Sequence, residues 1–421
     1  MIEPRGFMKK NIIKLLLCFL IFGCKHQALH TAKKKSVQNQ VEVKLNFEKY
    51  ELKAQVIQKL IDGRSLNWGG FSGLSFIEKD SAGDLFFWTL SDRGPNGDEI
   101  KKGDLNYRQF LFPEFHPSLV KLRANKQEKN LEVIESIPLK KKTGEFFLGL
   151  PPVNDVTKKP QHEIPLSEFN EELVNVEDGI DPESLAIDSQ RHFWVGEEYL
   201  PSLLEFDPQG TLLARIEPAS QTGLPLKKNQ IPFAYKLRKI NRGFEALSIF
   251  NDRLYFMLQS PLDVEDKPKF IRIGVFNIKS RMYEAEYLYP VENPKSAKIG
   301  DMQMIDAKRF LVIEQNNEVG PESVHQIFEV NLSKATNTLK AGFKNFPESV
   351  STGNFPKKFI FAEKTLAVDL VKDGYADFEK VEGLTLIDAE TLAVINDNDF
   401  GVKDGKIGTI ATVLGLFHLK K

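Results

Sequence analysis

A short hairpin unit recurs along this chain, and its recurrence limits the folds open to it. The copy near the C-terminus, residues 381–401, reads VEGLTLIDAETLAVINDNDFG. Two apolar runs, 384–387 and 392–395, flank the turn residues 388–391. Acid and amide side chains occupy the outer ends: Glu382 before the first run, then Asn396, Asp397, Asn398 and Asp399 after the second. In an antiparallel hairpin the start of the first strand and the end of the second share an edge. Glu382 is therefore expected to face the 396–399 cluster, away from the turn.

The unit appears again as DPESLAI (181–187) with FWVGEE (193–198), as GFEALSI (243–249) with LYFMLQ (254–259), and as DMQMI (301–305) with FLVIEQN (310–316). Its apolar anchors Leu185, Leu247, Met304 and Leu384 are spaced by 62, 57 and 80 residues, and twelve residues after each come Glu197, Gln259, Asn316 and Asn396. An earlier copy, SGLSF (72–76) with FWTLSD (87–92), carries a longer turn. Hairpins repeating at this period predict an all-β fold, a β-propeller of five to six four-stranded blades, with seven as the upper bound. An early strand over 52–60 is expected to pair with the C-terminal strand near 410–417. That pairing closes the ring between the two termini and leaves no free edge. Residues 335–375 have room for one weak extra blade, and 141–180 read as a long insertion loop.

Composition narrows the function. With 57 basic and 58 acidic residues the formal charge is −1, so there is no basic excess to hold a phosphate backbone and nucleic acid is not expected as a partner. Both cysteines, Cys18 and Cys24, lie at the N-terminus, so residues 46–421 have no disulfide, thiol nucleophile or cysteine metal site.

Residues 1–23 read as a lipoprotein-type signal peptide: Lys9, Lys10 and Lys14 precede an apolar run, 15–22, too short to span a bilayer. The run ends in Ile-Phe-Gly-Cys, which resembles a bacterial lipobox, with Cys24 as the lipidated residue. The alternative is an ordinary secretory signal cut a few residues later, with Cys24 incidental. Residues 24–45 are polar and read as a flexible tether to the folded domain, 46–421. The expected location is outside the cytoplasm, in the periplasm or at the cell surface, held to a membrane by the lipid.

The hairpin geometry sends Asp92, Glu183, Glu197, Glu198, Glu245, Glu382, Asn396, Asp397 and Asp399 to one rim of the ring. Carboxylates converging on one mouth repel unless a cation sits among them. Oxygen ligands without cysteine suit Ca2+ or another divalent cation. Asp92, Glu183, Glu197, Glu382, Asn396 and Asp399 are the candidate metal ligands. Glu245, Asp397, Arg93 and Arg242 are the candidate catalytic residues, the two arginines orienting an anionic substrate through their guanidinium forks. The competing reading is that these acids and amides cap turns and pair with the arginines. There is no Gly-x-Ser-x-Gly elbow, zinc-ligand spacing or Walker-type phosphate loop.

Several stretches together resemble the phytase-like (esterase-like activity of phytase) family of secreted bacterial proteins. They are Ser91-Asp-Arg-Gly94; Trp194-Val-Gly-Glu-Glu-Tyr199 with Phe206-Asp-Pro-Gln-Gly210; Asn241-Arg-Gly-Phe-Glu-Ala-Leu247 with Leu258-Gln-Ser-Pro261; and Asn396-Asp-Asn-Asp-Phe400. The resemblance implies a β-propeller and, loosely, hydrolysis of phosphate or carboxylate esters. Gln315 departs from the pattern, which implies a basic residue after the Glu. The first expectation is a metal-assisted hydrolase of small anionic esters or phosphoesters at the cell envelope. Second comes a non-catalytic periplasmic propeller that binds a ligand or a protein partner. A lactonase or metallophosphatase chemistry shares the acid-rimmed logic of the first and differs in substrate.

Overall fold

The structure is a computed structural model that describes residues 46–419 apart from 104, 154–161, 223–224, 263–269, 294, 297, 341–358 and 404–405. The signal segment, Cys24 and the tether up to residue 45 lie outside the described residues.

Five four-stranded antiparallel blades make up the domain. Blade one is Phe71–Lys79, Leu85–Ser91, Ser118–Asn125 and Asn130–Pro138. Blade two is Pro182–Ile187, Phe193–Glu197, Leu203–Phe206 and Leu212–Pro218. Phe244–Phe250, Arg253–Leu258, Phe270–Asn277 and Met282–Pro290 form blade three. Lys298–Met304, Arg309–Gln315, His325–Asn331 and Glu363–Asp369 form blade four. Val381–Leu386, Thr391–Asn396 and Val413–His418 open blade five, and the N-terminal strand Glu48–Leu52 completes it. First strands of successive blades pack side by side, and the fifth returns to the first, so the ring closes on five.

Closure uses the two termini in the expected way, with a shifted register. The strand that pairs with Val413–His418 is Glu48–Leu52, with Tyr50 opposite Leu414. It also meets blade one in a short parallel bridge, Glu51 and Leu52 against Asn130 and Leu131. Residues 56–59, expected in the closing strand, instead form a small separate hairpin with Ser65–Asn67. The wide interval before blade five holds no extra blade among the described residues: Glu363–Asp369 is the outer strand of blade four. The insertion after residue 141 gives one strand, Ile164–Leu166, to a small sheet with Asn96–Lys102 and Leu105–Phe110.

The strands form because apolar and aromatic residues dominate them and turn residues end them. At the far ends of the hairpins, Asp80, Asp188, Asp207 and Asp306 each accept two backbone amides of their own turn. Arg191, Gly210 and Asn251 take positive φ there. Those acids are turn caps and belong to the edge opposite the rim.

One irregularity repeats in all five blades. Each first strand has a β-bulge near its start, at Gly73, Glu183, Glu245, Gly300–Asp301 and Glu382. A bulge leaves one residue out of the ladder and re-aims its side chain. In blades two, three and five that residue is a glutamate.

Candidate functional site

Three of the re-aimed side chains meet. Glu183, Glu245 and Glu382 each present a carboxylate oxygen within 4.8 Å of the others. Glu183 and Glu382 line a cavity of about 630 Å³ at the rim, together with Asp92, Arg93, Arg242, Gln259, Lys298 and Lys380, and Glu245 lies fully buried behind them. Blade one contributes Ser72, whose hydroxyl donates to Glu183 Oε2 at 2.9 Å and lies 3.5 Å from Glu382 Oε2. Blade four contributes Lys298, whose Nζ donates to Asn317 at 2.6 Å.

Burial sets the electrostatics. It pushes Glu183 and Glu245 well above the usual carboxylate range, and neighbouring acids push further in the same direction. Glu382 rises to about 8, mainly through burial, with Lys380 opposing. The fully buried Glu245 meets only the Gln259 side chain, which acts to lower its pKa, and neither of its oxygens reaches an ideally placed donor; the buried Gln259 Oε1 also has no partner. Lys298 falls to about 8 through burial and the nearby Arg242, against the pull of Glu382 and Glu245. Unpaired buried carboxylates of this kind are costly unless something neutralises them.

A second group of acids carries its own cation. Asp92, Asp397 and Asp399 offer oxygens within 4.8 Å of one another. Lys380 donates to Asp397 Oδ2 at 2.7 Å and to Asp399 Oδ1 at 2.6 Å. Burial opposes the lysine's charge, but Asp397, Asp399 and Glu382 outweigh it and hold the ammonium well above its usual range. The turn itself is strained, with Asp399 at φ 46° and Phe400 at φ 55°, both in the left-handed region.

Other residues that the sequence sends to the rim are used by the backbone. Glu197 accepts the amides of Asp181, Tyr199 and Leu200 at 3.2, 2.9 and 2.6 Å. Asn396 accepts the amide of Val413 at 2.7 Å and donates to the carbonyl of Ala411 at 3.1 Å. Both lie buried beside the cavity rather than on its wall. They end the second strands of their blades, and the chain turns around them.

The two arginines differ. Arg93 is buried and tied, with Nη1 at 2.9 Å from Glu163 and 3.2 Å from Asn241 Oδ1. Arg108 holds the other oxygen of Glu163 at 3.0 Å. Arg242 lines the cavity, donates to the carbonyl of Asn241, and has no carboxylate partner among the described residues. Gly243, which follows it, lets blades two and three touch: a Cβ there would fall 2.2 Å from Glu198 Cα.

Sequence reasoning missed Lys298, Lys380 and Ser72. Lys380 stands two residues before Glu382, and Lys298 opens its first strand two residues before a bulge. A basic residue at the mouth end of a repeat was the available signal.

The fold and the cavity define a five-bladed β-propeller with acids and bases gathered at one end of its axis. The chain belongs to the Phytase-like family, described as esterase-like activity of phytase, whose match covers residues 66–400. It is 24% identical over 203 residues to a protein of Arthroderma benhamiae named as an uncharacterized secreted protein, covering 38% of this chain and 39% of that one. The match thus spans well under half of that relative's length. Among solved structures it is similar to a PQQ-bound aldose sugar dehydrogenase of Streptomyces coelicolor, at 11% identity and a TM-score of 0.33, covering 87% of this chain and 98% of that one. It is also similar to an exo-β-1,3-galactanase of Phanerochaete chrysosporium, at 8% identity and a TM-score of 0.37, covering 89% and 64%. Neither likeness bears on activity.

Proposed function

We propose that the protein is an exported, metal-assisted hydrolase of phosphate or carboxylate esters that works at the mouth of the propeller axis. The observation that carries this is the meeting of Glu183, Glu245 and Glu382, one from each of three blades, with both Glu245 oxygens buried and no cationic side chain bonded to them. Three carboxylates, the Ser72 hydroxyl and the Gln259 amide oxygen make an all-oxygen donor set. Such a set fits a hard divalent cation, Ca2+ first. A cation held there would polarise an ester oxygen and make a bound water more acidic.

The chain's own residues supply the rest. Arg242 and Lys298 stand on the cavity wall as cationic groups for the substrate's anion. Asp397, which is 1% exposed, acts through Lys380 rather than on substrate. Arg93 braces the Glu163 side of the wall through its ion pair. Export, with a lipid at Cys24 as the tether, rests on the N-terminal pattern and on the likeness to a protein named as secreted. No helix among the described residues is long and apolar enough to cross a membrane.

Elemental analysis of the purified protein, paired with melting with and without chelator and a screen of nitrophenyl phosphates and carboxylates, tests this. Bound calcium whose removal lowers the melting temperature and stops turnover supports the hydrolase. Absence of bound metal, of a chelator effect and of turnover would leave the non-catalytic binding propeller. That second reading is favoured by the pairing of Lys380 with Asp397 and Asp399, which already neutralises part of the rim.

A further inference from the structure

We infer that a second cavity, beside the mouth, binds a small organic carboxylate, with Arg238 as its anchor. This cavity has a volume of about 300 Å³, at the lower end of the range for small-molecule sites. No residue lines both it and the mouth, yet the two share a wall. His162 lines the second cavity and Glu163 the mouth; Tyr199 lines the second cavity and Glu198 the mouth. The Tyr199 hydroxyl completes the partition: it donates to the carbonyl of Gly149 at 2.9 Å and lies 3.4 Å from Arg93 Nη1.

Arg238 is a buried cation held by carbonyls alone. Its Nε donates to the carbonyl of Glu198 at 2.9 Å, Nη1 to that of Lys239 at 3.3 Å, and Nη2 to that of Tyr199. A guanidinium has more N–H donors than these three bonds use. Burial holds the group below its usual range, and Glu198 and Glu197 oppose that from beyond ion-pair distance. A buried charge without an adjacent counter-ion is costly, and an anion entering the cavity would relieve it. Ser202 is a second, independent mark. It lines the same cavity, is 1% exposed, and its hydroxyl has no hydrogen-bond partner.

The remaining walls suit an apolar body. They are the rings of His162 and Tyr199, edge-on at 5.7 Å between centroids, with Leu200, Pro201 and Pro218. Burial, and then Arg238, lowers His162 to about 4, so its ring is neutral near pH 7. The exposed Lys236 adds a cation on the open side, and the exposed Glu217 is the one acid among the lining residues. A planar guanidinium beside a hydroxyl and apolar walls matches a carboxylate carried on a ring or short chain. With a single acid, the same walls do not match a divalent cation.

The test is titration of the full purified protein with benzoate, read on the ring-proton resonance of His162, which His162→Gln identifies by its loss. A saturable shift is expected, with a Kd of about 1 mM or tighter. Benzyl alcohol, which keeps the ring, and acetate, which keeps the charge, are each expected to bind about tenfold or more weakly. Arg238→Gln is expected to weaken benzoate by about tenfold or more, and Arg242→Gln, in the mouth, to leave the titration as it is. Because Arg238 also holds three carbonyls, Lys236→Glu, at an exposed position, serves where that variant does not fold; it should weaken benzoate severalfold. Absence of a saturable shift in the wild-type protein overturns the proposal. So does benzyl alcohol that binds as well as benzoate. A titration that responds to Arg242→Gln but not to the changes at Arg238 or Lys236 would put benzoate in the mouth and overturns it too. None of these outcomes bears on calcium at the mouth.

Discussion

Lys380 Nζ lies 2.7 Å from Asp397 Oδ2, and the same ammonium lies 2.6 Å from Asp399 Oδ1. One side chain therefore offsets one of the three charges in a carboxylate group that otherwise repels itself. Replacing it with an isosteric apolar chain, Lys380→Met, leaves Asp92, Asp397 and Asp399 unbalanced. The expected loss is about 2–4 kcal/mol of stability by urea unfolding, set by the cost of stranding buried charge. Adding Asp397→Asn and Asp399→Asn to that variant should recover most of the loss. A Lys380→Met protein as stable as wild type would show that the pairing contributes nothing.

Stability of the calcium-free protein should fall as pH rises from about 6.5 to about 8. Glu382 is raised to about 8 and Glu197 to about 7, in both chiefly by burial. A carboxyl raised in the folded state holds its proton more tightly there, so its contribution is present at low pH and is lost as pH rises through the folded value. His162 and His325, lowered to about 4 by burial, act in the opposite sense, but only below their unfolded value near 6.5. Lys298, lowered to about 8, adds stability only above that pH. Melting temperatures across this window, with chelator present, check the sign; a rising curve would refute it. Saturating calcium should flatten the dependence, because it binds the deprotonated acids.

Glu245→Gln should separate the cost of an unpaired carboxylate from its use. In chelator the variant is expected to be more stable than wild type by about 1–3 kcal/mol, since it removes the cost of holding a raised, buried carboxyl protonated. In calcium at a hundred times Kd the wild-type protein gains about 2.7 kcal/mol from binding at one site. The variant should gain far less. Paired thermal melts give both numbers, and a variant that responds to calcium like wild type would remove Glu245 from the site.

Tyr50 tests ring closure. It is 2% exposed, pairs in register with Leu414, and belongs to a cluster with Leu131, Leu414 and Leu416. Tyr50→Ala should cost about 3–4 kcal/mol, as for other large buried aromatics. A cost below about 1 kcal/mol would mean that the N-terminal strand is an accessory to a ring already closed by blade five.

The hairpin repeat made the propeller legible, because alternating apolar runs with acids at one end have few other ways to bury their faces. It also placed Glu183, Glu245 and Glu382 correctly at one edge, since that edge follows from hairpin geometry alone. The same geometry gave Glu197 and Asn396 equal standing with them, and the structure separates the two sets. A residue that ends a second strand sits where the chain turns back and is taken by backbone amides. A bulge residue in a first strand is released from the ladder and turns toward the axis. Alternation in the sequence does not reveal a bulge, so this distinction was not visible there. Nor was the boundary of the closing strand, where Glu48–Leu52 and Val56–Lys59 look alike until Val413–His418 selects one of them.

The sequence by itself determined that the chain forms a ring of repeated hairpins with its acids at one end, because strand period and turn chemistry are local properties. Only the tertiary structure decided that the ring has five members, that Lys380 and Lys298 enter the mouth, and that Glu183, Glu245 and Glu382 meet. Those outcomes depend on which blades become neighbours across the axis, at separations of 62 residues between Glu183 and Glu245 and 199 between Glu183 and Glu382. No local pattern encodes such distances. They follow from how many blades can pack around one axis with their cores filled.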